Sequence, residues 1–499
     1  LLCSVQASLY FELPKFLSSP LRKLMILDCC KFCLFAALLC ITSACGLHRV
    51  DESAQLLETQ VPAAYAEHPT GTEIPSSWSR SWWESFDDEA LNRLISIGLS
   101  NSYSIQQFAA RIDQAMALSK QAGARLYPSI DLAAGYDVEW DGETSVGSSG
   151  DREESSNVGL TLGWEADVWE RLSSIRRAEA LEFEASIEDW LGARLLLSSA
   201  IAETYFEIKE QRRQLEVIRA QLEINESLQK LTSLRFGQGQ SSIVDVLQQQ
   251  EQFEETQARV PQAEALIGQL EYALDVLLGR TPGGESLVNS SVLGRPPALP
   301  AIGIPSQLLT RRPDLRAAQK RVLALDYDVG VAVANQLPSL VLGGSIDWRG
   351  DPSLGDEISF LFARLSAPLF NAGELRSEVQ FRKARLEEAL AGYANQYLSA
   401  LAEVETALLE ERKFEERLEL VEKQLHTAQR LLTESRNRFS QGLTDYLPVF
   451  TSLNIVQNLE RDVVAARRSV LSARVGLHRA LGGPITAPEI SPLISSLHE

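Results

Sequence analysis

The sequence predicts a mixed α and β membrane protein built on an internal duplication. Three observations predict it: segments of about ten residues with strict apolar/polar alternation, two very long proline-free helical patterns, and motifs that recur in one order at nearly fixed displacement. At 499 residues the chain exceeds the usual single core, so an elongated protein with a distributed core is expected. Hydrophobic residues make up 45% and charged residues 23%, an ordinary balance that leaves the class to be decided by patterning. The net charge of -20 offers nothing to neutralise a run of phosphates, so no nucleic-acid partner is expected.

All six cysteines, Cys3, Cys29, Cys30, Cys33, Cys40 and Cys45, lie in the first 45 positions. A disulfide framework, a cysteine-ligated metal site and a cysteine nucleophile are thereby excluded from the rest of the chain. Within 1–44, basic Arg22, Lys23 and Lys31 precede the apolar run Phe32 to Ile41 and then small residues, the three-part pattern of a signal peptide too short to span a membrane. Residues 1–24 precede the first methionine, Met25, and read as an upstream extension. Ser43-Ala44-Cys45 resembles the bacterial lipobox, where cleavage before the cysteine exposes it to acylation, although Thr42 stands where leucine is preferred. Lipidation of Cys45 is expected, with ordinary cleavage after Ala44 as the alternative. No cofactor beyond that covalent lipid is expected.

The segment Arg235-Phe236-Gly237-Gln238-Gly239 recurs as Arg438-Phe439-Ser440-Gln441-Gly442, a displacement of 203 positions that also relates Val246 to Val449 and Leu278 to Leu481. Upstream the displacement is 210, relating Arg111 to Arg321 and Pro128 to Pro338. The Gly/Ser-rich stretch 141–156, longer than its counterpart around Gly350 to Asp356, accounts for most of the change and reads as a surface loop. Residues 80–280 and 310–483 are therefore two copies of one unit, joined by a Pro/Gly-rich linker over 281–309. Segment 45–79 precedes them and a tail, 484–499, follows.

Each copy opens with a helical pattern, 88–127 (interrupted near Asn101) and 313–336, that stops before Pro128 or Pro338. Strands are expected over 129–140, 157–168, 339–349 and 357–368. In the first, Ile130, Leu132, Ala134, Tyr136, Val138 and Trp140 alternate with Asp131, Ala133, Gly135, Asp137 and Glu139. In the second, Val158, Leu160, Leu162, Trp164 and Val168 oppose Asn157, Thr161, Glu165 and Asp167; in the third, Leu340, Leu342, Ile346 and Trp348 oppose Ser339, Ser345 and Asp347. Ile358, Phe360 and Phe362 open the fourth on what reads as its apolar face, which Arg364 then breaks. Such strands fit a transmembrane β-barrel and equally two hairpins half-buried on a soluble core. The leader and the long helices favour the membrane.

Those helices run roughly from Leu172 to Phe236 and from Glu374 to Phe439, and they return from about Ser242 to Leu278 and from Asp445 to Leu481. Leu418, Val421, Leu425, Ala428, Leu432, Ser435 and Phe439 are spaced by three and four, as in a coiled-coil seam. Dilution of the seam elsewhere suits helices packed side by side in a curved wall; a plain two-stranded coiled coil is the alternative. If the sheet sits in lipid, its edge amides and carbonyls must be paired, at several kcal/mol apiece. Single-chain barrels start at about eight strands, so four per protomer require partner subunits.

The chain resembles the TolC-like outer membrane factors of tripartite efflux and type I secretion systems, in particular their lipoprotein branch. The resemblance rests on Trp82-Trp83-Glu84-Ser85-Phe86 with Leu91 and Leu94, Ala110-Arg111, Pro128 and Trp164-Glu165-Ala166-Asp167-Val168-Trp169. In the second copy it rests on Arg311-Arg312-Pro313-Asp314-Leu315 and Pro368-Leu369-Phe370 with Gly373. It implies a homotrimer whose twelve strands form one barrel in the outer membrane lipid and continue into a long periplasmic α-helical barrel. It also implies a periplasmic adaptor and an inner membrane transporter as partners, and passive export of small molecules. The two Arg-x-x-x-Gly turns fall where similar proteins have periplasmic tips; Arg235, Gly239, Val246, Arg438, Gly442 and Val449 are candidates for adaptor contact, with a purely structural role for both glycines as the alternative. In some members of that family acidic side chains ring the closed pore at positions that fall here on Pro448 and Thr451, which leaves Asp245, Asp445 and Tyr446 as gate candidates or, for the aspartates, solvated helix starts. Glu170 stands where relatives carry glycine.

His48, His68, His426, His478 and His498 form no metal-ligand spacing, and no P-loop or nucleophile elbow occurs, so no catalysis is expected. A protein-secretion duct and a lipid-anchored periplasmic coiled-coil scaffold remain the competing classes.

Overall fold

The computed structural model describes residues 48, 50, 62–67, 81–140, 152–350 and 354–484. The leader, Cys45, most of segment 45–79 and the tail from 485 onward lie outside the described residues. A single 3₁₀ turn, Trp82–Phe86, leads into helix α1 (Glu89–Asn101), capped by the Asp88 carboxylate accepting from the amides of Ala90 and Leu91. Then come α2 (Tyr103–Ala124), β1 (Ser129–Trp140), β2 (Arg152–Ala166), α3 (Arg171–Gly237) and α4 (Ile243–Leu277). The second copy begins with the single turn α5 (Leu308–Arg311) and runs through α6 (Pro313–Ala334), β3 (Ser339–Gly350), β4 (Asp356–Ser366), α7 (Glu374–Ser440) and α8 (Leu447–Ala480). α3 and α7 are each 67 residues long, on the order of 100 Å at 1.5 Å per residue.

Proline at the first position of α6 fits because that amide has no intrahelical acceptor to lose. Arg312 just before it donates to Asp314, to Glu403 at 2.6 Å and to the carbonyl of Ala480, so the Arg-Pro-Asp motif ties the start of the second copy to its long helices. At the start of α3 the Asp167 carboxylate accepts from the amides of Leu172 and Ser173, both at 2.8 Å. Glu170 there is held at φ 55, and Gly373 occupies the same place before α7 at φ 91. Glycine at Glu170's position would avoid a left-handed strain of about 1 kcal/mol or more that this chain carries.

Two apolar clusters hold the middle of the molecule. Trp82, Leu91 and Ile95 pack against Ile201, Tyr205 and Ile208 of α3, Leu274 of α4 and Val475 of α8. Leu308 and Leu315 pack against Tyr393, Tyr397 and Val404 of α7 and Leu477 of α8. The α7 seam turns inward as its spacing predicts: Ala428, Leu432 and Ser435 are buried, and Val421, Leu425 and Phe439 pack on the α8 cluster of Val449, Leu453, Val456 and Leu459.

The four strands form one antiparallel sheet in the order β1-β2-β3-β4, with each hairpin paired internally and β2 joining β3. Its apolar face carries the pairs Leu132↔Leu160, Leu160↔Ile346 and Trp164↔Leu342. That face is bare among the described residues: Ile130 is 70%, Leu132 71% and Leu361 91% exposed.

Two expectations about the strands change. β2 begins at Arg152, so part of the Gly/Ser-rich stretch 141–156 is strand, and it ends at Ala166, leaving Asp167 to cap α3 and Val168 outside the sheet. The fourth strand also turns over. Ile358, Phe360 and Phe362 pair with Asp347, Ser345 and Gly343 on the polar face, and Leu361 and Leu365 pair with Gly344 and Leu340 on the apolar one. Both faces of β4 are apolar in sequence, so alternation alone does not orient it; pairing with β3 does. Arg364, opposite Val341, then shares the polar face and breaks nothing on the other.

Candidate functional site at the helical tips

The end of the molecule away from the sheet is made by two matching reversals. α3 stops at Gly237 because Gly239 turns left-handed at φ 73; its amide donates to the Phe236 carbonyl at 2.9 Å and that of Gln240 to the Arg235 carbonyl at 2.8 Å. α7 stops identically: Gly442 at φ 72 donates to Phe439 at 3.0 Å, and Leu443 to Arg438 at 2.9 Å. Both are Schellman motifs, in which only glycine takes the left-handed position without strain. The Arg-x-x-x-Gly spacing is therefore the spacing of the motif itself, with the arginine carbonyl accepting the closing bond.

α4 then starts from a capping box, with the Ser242 hydroxyl accepting from the Asp245 amide at 3.2 Å and the Asp245 carboxylate accepting from the Ser242 amide at 2.9 Å and the Ser241 hydroxyl at 2.8 Å. Partial burial would raise the Asp245 acid, but those hydrogen bonds outweigh it and hold the carboxyl below its ordinary range. Among the gate candidates, Asp245 is thus half-buried and occupied as a cap, while Asp445 is exposed just before α8.

Tyr446 is buried at the start of α8, and its hydroxyl donates to Gln249 Oε1 of α4 at 2.6 Å. Burial first, then the nearby Asp245 carboxylate, pushes its phenol up to about 12, so it stays a donor. Tyr446 faces inward within its own chain and bolts α8 of the second repeat to α4 of the first.

The adaptor candidates divide in the same way. Arg438, Gly239 and Gly442 are exposed, Val246 is half-buried, and Val449 is buried in the α8 cluster. Arg235 lays its guanidinium over the Phe439 ring, 4.3 Å from the centroid, and Phe439 meets Tyr446 edge-on at 5.6 Å. The two tips thus interlock through Arg235, Phe439, Tyr446 and Gln249.

A buried amide layer behind the tips continues this lock. Asn225 donates to Thr256 at 2.8 Å, Gln457 to Asn225 at 3.0 Å, and Gln221 to the Gln457 carbonyl at 2.9 Å. These residues join α3 and α4 of the first copy to α8 of the second. Their signal in the sequence is polar side chains at three- and four-residue spacing (Gln221, Asn225; Gln249, Gln252, Thr256) where an apolar seam is expected. Among the described residues, no group of three or more His, Cys, Asp or Glu side chains is placed to hold a metal ion.

An exposed apolar sheet at one end and interlocked helical hairpins of on the order of 100 Å at the other define an elongated membrane-associated protomer of mixed α and β construction. The family described as outer membrane efflux protein matches residues 94–280 and 304–483, and the chain belongs to that family. It is 29% identical over 459 residues to the pyoverdine export outer membrane protein OpmQ of Pseudomonas aeruginosa, covering 86% of this chain and 95% of that one. It is 25% identical over 422 residues to the cation efflux system protein CusC of Escherichia coli, covering 81% and 88%. Among solved structures, the outer-membrane channel OprN is similar with a TM-score of 0.75 at 25% identity, covering 86% of this chain and 98% of that one. VceC of Vibrio cholerae is similar with a TM-score of 0.73 at 25% identity, covering 82% and 99%.

Proposed function

We propose that this protein is the outer membrane duct of a tripartite efflux system, a passive, non-enzymatic conduit for small molecules. The observation that carries this reading is the bare apolar face of a four-stranded sheet whose outer edges, on β1 and β4, are unpaired among the described residues. Water tolerates such a face poorly and lipid tolerates such edges hardly at all, so both demands are met together only by a closed barrel shared between copies. Three copies supply twelve strands, and their helical hairpins line a tunnel continuous with the barrel. Cys45 carries the lipid anchor. The exposed parts of the tips, Arg438 and the turns at Gly239 and Gly442, meet a periplasmic adaptor, an inner membrane transporter supplies the energy, and Asp445 faces the closed end. The repeat boundaries at 80–280 and 310–483 belong to the same reading.

Purified protein tests it in planar bilayers and on gels. Discrete conductance steps and a heat-modifiable trimer are expected; a soluble scaffold gives neither. A Cys45→Ala variant loses incorporation of labelled palmitate, and persisting label refutes the anchor. Asp445→Ala raises resting conductance and drug leak; unchanged values remove Asp445 from the gate.

A further inference from the structure

In the assembly just proposed, on which this inference rests, the free edge of β4 meets β1 of a neighbouring copy, and the internal duplication fixes the register of that seam. Ser129 pairs with Gly163 and Ser339 with Ser366. The step from β1 to β3 is thus 210 and the step from β2 to β4 is 203, the same two displacements that relate the copies in sequence. The β2–β3 seam joins the end of one repeat hairpin to the start of the next. β4 bears that same relation to β1 of the following chain.

Carrying the β2–β3 pairs through these steps gives a definite partner for each edge residue. Leu162↔Gly344 becomes Leu365↔Ala134, Val158↔Trp348 becomes Leu361↔Val138, Gly159↔Asp347 becomes Phe362↔Asp137, and Thr161↔Ser345 becomes Arg364↔Gly135. We propose that β4 pairs with β1 of a second copy of this chain in this register, with Arg364 forming an ion pair with the partner's Asp137 on the polar face.

Three observations not used in the construction agree with it. Leu365 meets Ala134, Ala363 meets Tyr136 and Leu361 meets Val138 on one face, whereas a slip of one residue would carry the partner's Asp137 onto the lipid side. The Arg364 guanidinium lies over the Phe362 ring, 5.3 Å from the centroid, and therefore at the level of the residue whose opposite number is Asp137. Diagonal neighbours of this kind are within reach of a long side chain. Both Asp137 and Arg364 are exposed, and among the described residues neither has an ion-pair partner within its own chain.

The full-length protein in membranes tests the register by oxidative cross-linking, aided by the lack of any cysteine after Cys45. The double variant Ala134→Cys/Leu365→Cys is expected to give intersubunit disulfides at least about fivefold more efficiently than Leu132→Cys/Leu365→Cys or Tyr136→Cys/Leu365→Cys, which report slips of two residues. Dominance of either comparator, or no cross-link in protein that native mass spectrometry shows to be oligomeric, overturns the register and leaves the duct reading standing. A monomeric mass in every preparation overturns both. Independently, Asp137→Arg and Arg364→Asp should each reduce the heat-resistant oligomer and the double exchange should restore it; failure of that rescue refutes the ion pair.

Discussion

Replacing Gly442 by alanine isolates the energetic role of the tip glycines. The residue sits at φ 72 with no described atom within 4 Å of where a Cβ would stand, so the perturbation is conformational. A left-handed L-residue costs roughly 1–2 kcal/mol, partly offset because alanine also narrows the unfolded ensemble. A net loss of about 1 kcal/mol corresponds to roughly a fivefold change in an opening equilibrium. The reporter is the Leu443 amide, which closes the turn by donating to Arg438 at 2.9 Å; its hydrogen-exchange protection is expected to fall about fivefold. Asparagine tolerates the left-handed region and should recover about half of that loss. Gly279 provides the contrast: it has a similar φ of 70, but an added Cβ would stand 2.5 Å from the Asn101 carbonyl oxygen, so Gly279→Ala must displace backbone and lose more. Unchanged protection in Gly442→Ala, or equal effects at both sites, refutes the reasoning. Adaptor binding measured on the same variants decides between the two readings of the tip. Binding that tracks protection means that the glycine only makes the turn; binding that stays lost in the asparagine variant means that the adaptor touches it.

Tyr446→Phe removes a buried donor and leaves Gln249 Oε1 unsatisfied, so the interlocked tips should lose about 1–3 kcal/mol and open more often in single-channel records; an unchanged open probability argues against the bolt. His478 is stacked on Trp82 at 5.5 Å, and burial, with Arg474 adding to it, lowers its pKa to about 4. The unfolded chain, near the ordinary 6.5, binds the proton first, so stability is undiminished above that value. It falls by about 1.4 kcal/mol per pH unit as the pH drops from there to about 4. His478→Leu should flatten that part of a pH–denaturation curve, and an unaltered slope contradicts the assignment. Glu170→Gly should stabilise the start of α3 by about 1 kcal/mol in chemical denaturation, by relieving the strain at φ 55; a destabilised variant shows that the Glu170 side chain matters more than its backbone.

Much of this molecule is legible in its sequence because period and punctuation are local properties. The alternation from Ile130 to Trp140 marks all of β1 but its first residue, and proline-free runs bounded by Gly239 and Gly442 mark the long helices. What the sequence leaves undecided is set by neighbours distant along the chain. β4 carries apolar residues on both faces, so only its pairing with β3 turns Phe360 and Phe362 toward the polar side. Asp245, Tyr446 and Val449 stand close to the tips in sequence, yet the first is a cap, the second a bolt to α4 and the third core. Position near a turn indicates proximity to a site; the side chain's direction depends on which helix lies beside it.

Lipid contact by the sheet is tested most directly by tryptophan fluorescence of the purified protein in bilayers whose acyl chains carry bromine. Trp348 lies on the apolar face opposite Val158. The account predicts strong quenching that drops when Trp348 is replaced by phenylalanine. Emission indifferent to bromine, from a protein that stays monomeric in water, would contradict it.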